Sequence, residues 1–328
     1  MAYGISLYSD SGNLLVNSDL PTYRFIGKYS FSTYYGPPSG GLSVRWNYAT
    51  VTSKNPPQAF VTNVNMNNNI SGSTIGFSTM CAVVRGKAAS TTTGAGTPRT
   101  VINMADVTGL TVGDTLADFG GATGVEASPT ITAIDTVNKT ITLSSAITVG
   151  LGYSPLVFLN SSRPDEWSCI FSPGIAGSGY IPTDTTYLYV FGTTYNTLTS
   201  GYGMQVYDAS GNVVMNAENR LLSISGYAIS PNVPQTNLPS PLTDLSTTTL
   251  TAGTIPSSYA HNCCSPGSMF VSSLLSLGLY IGARKNTSTT FSFCWGGLLG
   301  ASLFGGTGNY YSIIPNRVIQ FIDTTIYN

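Results

Sequence analysis

The sequence predicts an all-β protein, with two related β-sandwich-like domains, a small inserted β module and few or no long helices. Apolar and polar residues alternate in many short runs, and a period of two is typical of strands with one buried face. No window shows the apolar period of 3.6 residues that marks an amphipathic helix. A hairpin-like stretch near the start of the chain returns at an offset of 199 residues, from Tyr3 to Tyr202, which indicates duplication.

The two copies of this stretch read YGISLYSDSGNLLVN over residues 3–17 and YGMQVYDASGNVVMN over residues 202–216. In each copy an alternating segment runs into a Ser-Gly-Asn turn and then into a second apolar segment. Gly accepts a positive φ and Asn tolerates it, so this pattern predicts a tight β-turn. Both copies are therefore predicted to be β-hairpins. The copies diverge after residues 18 and 217, so the duplicated unit is a hairpin signature.

The composition of the chain excludes several classes of protein. Charged residues make up only 8% of the sequence, against about 25% in ordinary domains. Hydrophobic residues make up 42% and aromatic residues 11%, which predicts a folded chain, because disordered chains combine low hydrophobicity with high charge. A net charge of -1 and the lack of a basic run predict no nucleic-acid binding.

The domain organisation is predicted from changes in composition. The stretch KAASTTTGAGTP, residues 87–98, is typical of a connector between an N-terminal domain, 1–96, and the inserted module, 97–154. We expect the module to contain strands at residues 100–103, 130–134 and 140–143. The C-terminal domain, 155–328, would contain the second hairpin and an extended arm over 226–258, which is rich in Pro, Ser and Thr.

Cysteine and histidine usage predicts no metal, cofactor or catalytic site. His261 is the only histidine, and although Cys263 and Cys264 lie nearby, no second Cys/His cluster completes a zinc site. No nucleophile elbow or phosphate-binding glycine motif is present. The cysteines are odd in number and widely spaced, and no secretory signal is visible, so we expect synthesis in a reducing cytoplasm without a disulfide framework. They are Cys81, Cys169, Cys263, Cys264 and Cys294.

Two uncharged stretches, 268–283 and 287–308, flank Arg284, Lys285 and Asn286. A membrane-inserting hairpin is one interpretation. The first stretch is interrupted by Ser and Gly, and neither supplies the ~20 strongly apolar residues of a spanning helix. The pattern favours two buried strands joined by a polar turn, without membrane insertion.

Asp165 and Glu166 form the densest acidic spot beside an aromatic residue, Trp167. Glycan cleavage needs two carboxylates roughly 5 to 9.5 Å apart, so this pair is the leading candidate for such chemistry. Neighbouring residues on a strand point to opposite faces, however, and Pro-Asp-Glu is also a common turn. A turn is the favoured interpretation, with hydrolysis as the alternative.

Surface aromatic residues are the candidate contact residues for a receptor or a neighbouring subunit. Such side chains stack on sugars or dock on proteins. Cross-strand packing is the competing interpretation, since strands use Tyr freely. The candidates are Tyr34, Tyr35, Tyr195, Tyr310 and Tyr311.

The repeated hairpin resembles the "YGLQVYNxSGxxVFDS" opening of a group of bacteriophage tail proteins, except that Asn17 and Asn216 stand where an acidic residue is common. The segments VTGLTVGDTL and ITAIDTVNKTITLS of the module are similar to a small β module inserted in virion proteins of tailed phages. The resemblance implies a non-enzymatic structural virion protein of the tail tip, baseplate or tail fibre. Its implied partners are other virion proteins, further copies of itself, with a trimer favoured, and a host-surface glycan or protein. A glycan-binding or glycan-cleaving recognition protein and a head decoration protein are the alternatives.

Overall fold

The all-β class predicted from the sequence is confirmed. The structure, a computed structural model, consists mostly of strands in several antiparallel sheets and has no helix of seven or more residues in its described part. The residues described are 6–8, 14–17, 22–31, 47–62, 64–68, 74–77, 79–92, 97–117, 128–149, 155–172, 180–182, 185–193, 203–207, 210–211, 213–216, 220–229, 244–262, 268–271, 280–296, 310–313 and 318–328.

The strands are short, and a 3-10 helix over Thr324–Tyr327 follows the last of them. The first fourteen are β1 Ser6–Tyr8, β2 Leu14–Asn17, β3 Arg24–Phe31, β4 Asn47–Thr52, β5 Gln58–Val61, β6 Val64–Asn68, β7 Thr74–Phe77, β8 Thr79–Arg85, β9 Lys87–Ser90, β10 Arg99–Asn103, β11 Thr115–Ala117, β12 Ile131–Asp135, β13 Thr140–Ile147 and β14 Pro155–Leu159. The others are β15 Glu166–Ser172, β16 Tyr180–Pro182, β17 Thr186–Gly192, β18 Gln205–Tyr207, β19 Val213–Asn216, β20 Gly226–Ile229, β21 Asp244–Thr249, β22 Ala252–Gly253, β23 Tyr259–His261, β24 Ser268–Val271, β25 Tyr280–Lys285, β26 Thr290–Gly296, β27 Tyr310–Ile313 and β28 Val318–Asp323.

Four sheets form the body that positions the candidate site. The central sheet has the strand order β22-β20-β28-β23-β5-β17-β3. The middle sheet is β4-β15-β8, the linking sheet is β11-β14-β9, and the module sheet is β10-β13-β12. The remaining described strands pair as β16-β6-β7, β21-β26-β25, β1-β2, β18-β19 and β24-β27.

These four sheets stack in layers, with a hydrophobic core in each gap. Phe158 and Leu156 of the linking sheet pack against the module core, while the intervening Val157 packs towards the middle sheet beside Ile170. A second set of side chains fills the gap between the middle and central sheets: Ala49, Val51, Ala59, Val61, Cys169, Phe171, Leu188 and Val190. Strands buried on both faces carry nearly continuous apolar runs, and this explains why Pro155–Leu159 and Thr186–Gly192 are apolar at almost every position.

The far face of the central sheet is covered by the end of the chain. Tyr327 packs against Phe191, with ring centroids 4.8 Å apart, and against Phe25 at 5.4 Å. The Tyr327 hydroxyl donates a hydrogen bond to the Leu221 carbonyl at 2.8 Å and accepts one from the Ser223 backbone N–H, also at 2.8 Å. The 3-10 helix therefore closes this core and ties the 220–224 segment to the sheet.

Strands from residues 1–96 and from residues 155–328 alternate in the sheets. Strand β17 lies between β3 and β5, and β15 lies between β4 and β8. The two predicted sandwich-like domains, 1–96 and 155–328, therefore share sheets and are not separated by a boundary along the chain. Long-range pairing of this kind is invisible to local patterns, since alternation indicates a strand but not its partner.

Both predicted hairpins are present, and they share one register. In the first, Ser6 pairs with Asn17, and in the second, Gln205 pairs with Asn216. The register shifts at the same place in each copy, between Leu7 and Tyr8 and between Val206 and Tyr207. The repeated sequence thus specifies the same irregular hairpin twice.

The three strands predicted in the inserted module are confirmed as β10, β12 and β13. Between β12 and β13, the Asp135 carboxylate accepts hydrogen bonds from the backbone N–H groups of Val137 and Asn138, each at 2.9 Å. The module is not an isolated unit, because its core includes Ala89, Leu156 and Phe158 of the linking sheet. Strand β11 also joins the module to β14.

The predicted extended arm over 226–258 needs correction in its described parts. Gly226–Ile229 forms β20 beside β28, and Asp244–Thr249 forms β21 beside β26. Ala228 is buried while Tyr227 is partly exposed. This alternation is typical of a strand, but the arm was predicted from its Pro, Ser and Thr content. Residues 230–243 lie outside the described residues.

In the described parts of the uncharged stretches around Arg284, two strands meet across the predicted polar turn, with β25 pairing antiparallel to β26, and residues 268–271 form the separate strand β24. Residues 272–279 and 297–308 lie outside the described residues. In the part of the chain that the structure describes, no helix is long and apolar enough to cross a membrane.

Candidate functional site

Charged side chains gather at one end of the layered body, which we call the charged rim. This end is where β3 and β15 begin, where β4 ends, and where β8 meets β9. The rim contains seven of the 27 charged residues in the chain (13 basic plus 14 acidic). They are Arg24, Arg85, Lys87, Asp114, Arg163, Asp165 and Glu166.

Asp114 is the most deeply placed residue of the rim, with no solvent exposure. Its carboxylate accepts hydrogen bonds from the backbone N–H of Thr111 at 2.9 Å and from the Thr111 hydroxyl at 2.6 Å. The side-chain amide of Asn160 and Nη2 of Arg163, at 2.8 Å, donate from the other side. Four donors thus satisfy a buried carboxylate that would otherwise be costly to desolvate.

The pKa of Asp114 is set by opposing effects. Burial acts to raise it, but the hydrogen bonds from Thr111 and Asn160 and the charge of Arg163 together lower the pKa below its ordinary value of 3.8. A carboxyl whose pKa is lower in the folded state than in the unfolded state stabilises the fold above its unfolded pKa. This stabilisation is therefore present above about pH 3.8 and is lost as the pH falls through the lowered value.

Arg163 joins three parts of the protein. Its Nη2 contacts Asp114 of the module, and its Nη1 donates to the Gly109 carbonyl at 2.9 Å. Its Nε lies 3.2 Å from Oε2 of Glu166, an ion pair without hydrogen-bond geometry. The Arg163 side chain is 28% exposed. Arg163 therefore connects the module and the β14–β15 loop to the start of β15.

Asp165 and Glu166, the acidic pair predicted from the sequence, lie at the turn that leads into β15. Glu166 opens β15 and contacts Arg163, while Asp165 lies in the preceding turn and its carbonyl accepts from the Ser53 backbone N–H at 2.8 Å. The geometry at this spot is that of an ion-pair network built around Arg163.

Two clefts open onto the rim. The first, with a volume of about 480 Å³, is lined by Arg24, Lys87 and Glu166 together with aromatic side chains of β3. The second has a volume of about 390 Å³ and is lined by Arg85, Gly86, Gly113, Thr115, Leu159, Asn160, Ser161 and Arg163. We call the second one the arginine cleft. Both volumes fall within the roughly 300–1,000 Å³ of small-molecule sites.

Gly86, which lines the arginine cleft, forms the turn between β8 and β9. Its φ is +108°, and a Cβ built there would lie 2.6 Å from the Phe158 carbonyl oxygen. Only glycine tolerates both the positive φ and this close approach. Gly86 therefore allows the turn that sets Arg85 into the cleft and Lys87 towards Gly109.

His261 is fully buried in the central sheet, away from the rim, with the Phe321 ring 6.3 Å from its own. Burial lowers the pKa of His261 from 6.5 to about 3, so it is neutral at pH 7. No group of three or more metal-ligating residues occurs among the described residues. Cys263 and Cys264 lie outside that part of the chain.

The aromatic residues predicted from the sequence are not among the side chains that the structure describes. Tyr34, Tyr35 and Tyr195 lie outside the described residues. The backbone of Tyr310 and Tyr311 forms β27, where they pair with Val271 and Phe270 of β24. Their role as contact residues stays a prediction.

Sequence reasoning passed over Arg85, Lys87, Asp114 and Arg163 as functional residues. The scarcity of charge was a usable signal. In a chain with so few charged residues, a cluster of them in the fold is a candidate functional site. Distant positions such as 85, 114 and 163 meet only in the fold.

Comparison of the chain with models of protein families, with curated proteins and with solved structures finds no match.

Proposed function

We propose that the protein is a structural component of a tailed-bacteriophage virion, placed at the tail tip or baseplate or in a tail fibre. There it would assemble with other virion subunits and with copies of itself, and contribute to host-surface attachment. The observation that carries the proposal is the repeated hairpin. Both copies of the motif that resembles phage tail proteins form hairpins, and the two hairpins have the same register shift.

The second hairpin offers a surface suited to subunit contact. Val206 and Met215 are buried, whereas Met204 and Tyr207 are each 51% exposed. Aromatic residues and Met are enriched in interface cores, where charged residues are depleted. The exposed pair therefore fits an interface in an oligomer.

The layered body supports a mechanical role. Successive cores lie on both faces of the linking, middle and central sheets. Close-packed interiors resist compression and transmit strain. A rigid block of stacked sheets suits a subunit that must hold its shape within a particle.

The ion-pair network at the rim favours a non-enzymatic role. Asp114 and Glu166, the two carboxylates that meet there, contact the same guanidinium. In this proposal the rim holds the module against the body and binds ligand without cleaving it.

Electron microscopy of particles carrying an epitope-tagged chain tests the location. We expect gold-labelled antibody at the distal end of the tail. Label on the head would support a decoration protein instead, and unlabelled particles containing no tagged chain would reject a virion role.

Light scattering on the purified protein tests self-assembly. We expect a discrete oligomer, with a trimer favoured, and we expect Tyr207→Glu to weaken it, because a charge would be placed in the contact. The control is Val137→Glu, at a turn residue that is 87% exposed on the module. A monodisperse monomer would contradict self-assembly.

Incubation with host surface polysaccharide tests the competing enzymatic function. We expect no new reducing ends, and their appearance would replace the structural proposal with a glycan-cleaving one.

A further inference from the structure

We propose that the arginine cleft binds the carboxylate of an acidic saccharide, with Arg85 as the cation that recognises it. The inference deepens the host-attachment part of the proposed function and rests on it for its biological setting. Binding can be measured on the isolated protein. It can therefore fail while the virion location holds, and the reverse is also possible.

Arg85 is held in place by one hydrogen bond. Its Nε donates to the Pro164 carbonyl at 2.9 Å. Within the described residues, no hydrogen bond or ion pair engages its Nη1 or Nη2. An arginine held through Nε still presents two parallel N–H donors at its tip, a geometry that matches the two oxygens of a carboxylate.

The charge balance of the cleft leaves Arg85 as the cation available to a ligand. Arg163, the other arginine of the cleft, is engaged by Asp114 at 2.8 Å and by Glu166 at 3.2 Å. Its charge is thus compensated by protein carboxylates. Since no described carboxylate pairs with Arg85, a ligand carboxylate would supply the missing counter-charge.

The other groups of the cleft suit a sugar ring. Ser161 and Thr115 line it, and their hydroxyls have no hydrogen-bond partner in the part of the chain described. Leu159 adds an apolar surface that is 37% exposed. Gly113 leaves open space, because a Cβ there would meet no atom within 4 Å. Hydroxyl groups, one apolar wall and one cation match a hydroxylated ring that bears one carboxylate.

A polyanion such as nucleic acid fits less well. Affinity for a phosphate backbone comes from many cations that release counterions together, whereas among the described residues this cleft offers one arginine without a carboxylate partner, in a chain of net charge -1. A single planar anion on a polar ring is the ligand that these groups match.

Saturation-transfer NMR with the full chain tests the proposal. The probes are glucuronate, glucose as the neutral analogue, glucose 6-phosphate as the phosphate analogue, and acetate as the bare anion. We expect saturable binding of glucuronate and at least about tenfold weaker binding of the other three, because each lacks either the planar carboxylate or the ring.

Variants connect the binding to the cleft. We expect Arg85→Gln to weaken glucuronate binding about tenfold or more, and Arg85→Lys to do the same, because Lys keeps the charge but loses the planar fork. Arg99→Gln, at an exposed arginine of β10 outside the cleft, should leave binding unchanged. Unchanged urea midpoints would show that the variants are folded.

Four results would overturn the proposal. Absence of saturable glucuronate binding would reject the site. Equal binding of acetate would reduce it to an adventitious anion site, and equal or tighter binding of glucose 6-phosphate would reject the carboxylate assignment. Unchanged affinity in both Arg85 variants would place the ligand elsewhere.

Discussion

The carboxylate of Asp114 and the guanidinium of Arg163 meet at 2.8 Å, with the carboxylate fully buried. Asp114 belongs to the inserted module, and Arg163 belongs to the loop that leads into the middle sheet. Together with the shared core around Phe158, this pair fixes the module to the body. The inserted module is thus a built-in part of the layered structure.

Replacing Asp114 with Asn should destabilise the protein by about 2–4 kcal/mol, below the full 3–5 kcal/mol of a broken buried pair because Arg163 is partly exposed. The Asn amide would face the donors of Arg163 and Asn160 without the compensating charge. Urea unfolding at pH 7 measures the change. Asp106→Asn is the matched control: its exposed carboxylate caps only a local turn at Thr108, and we expect less than about 1 kcal/mol. Equal losses of unfolding free energy in the two variants would show that the buried pair stabilises the fold no more than the exposed turn at Asp106 does.

Alanine at Gly86 should be far more damaging than alanine at Gly113. Both glycines have a positive φ, +108° and +95°, but a Cβ at Gly86 would lie 2.6 Å from the Phe158 carbonyl oxygen, whereas at Gly113 it meets open space. We expect roughly 1 kcal/mol for the backbone strain alone at Gly113 and at least 2 kcal/mol more at Gly86. Thermal melting of the two variants gives the comparison, and similar melting temperatures would rule out the close approach.

Tyr327→Ala should cost about 3–5 kcal/mol, because the ring fills the core between Phe25 and Phe191. Tyr327→Phe keeps the ring but leaves the Ser223 N–H and the Leu221 carbonyl without the hydroxyl, for a loss of about 1–2 kcal/mol. Urea unfolding separates packing from hydrogen bonding. If both variants unfold at the wild-type midpoint, the end of the chain does not close this core.

His261 should make stability depend on pH in the acid range. Burial lowers its pKa from 6.5 to about 3, so between these values the unfolded chain binds a proton that the folded chain does not. Stability therefore falls as the pH drops from 6.5 towards 3, by about 2–3 kcal/mol at pH 4.5. In His261→Gln this contribution disappears, and the difference in unfolding free energy between pH 7 and pH 4.5 should shrink by that amount. An identical difference in the two proteins would mean that His261 is protonated in the fold.

Local sequence patterns predicted many of the strands. The two hairpins could be predicted because each pairs neighbouring segments across a tight turn, and the turn sets the register. The module strands were equally clear, since Thr alternates with Ile and Leu over residues 140–143, beside a turn at Asp135. The arm over 226–258 was misjudged because β20 pairs with the distant β28.

The sequence alone determined the all-β class, the repeated hairpin and the strands of the module, because alternation and turn chemistry act between residues close along the chain. The tertiary structure alone decided that β17 lies between β3 and β5, and that Arg85, Asp114 and Arg163 meet at one rim. Pairing between distant strands depends on which apolar faces bury each other in the stacked layers. A local pattern shows that such a face exists, but only the assembled layers select its partner.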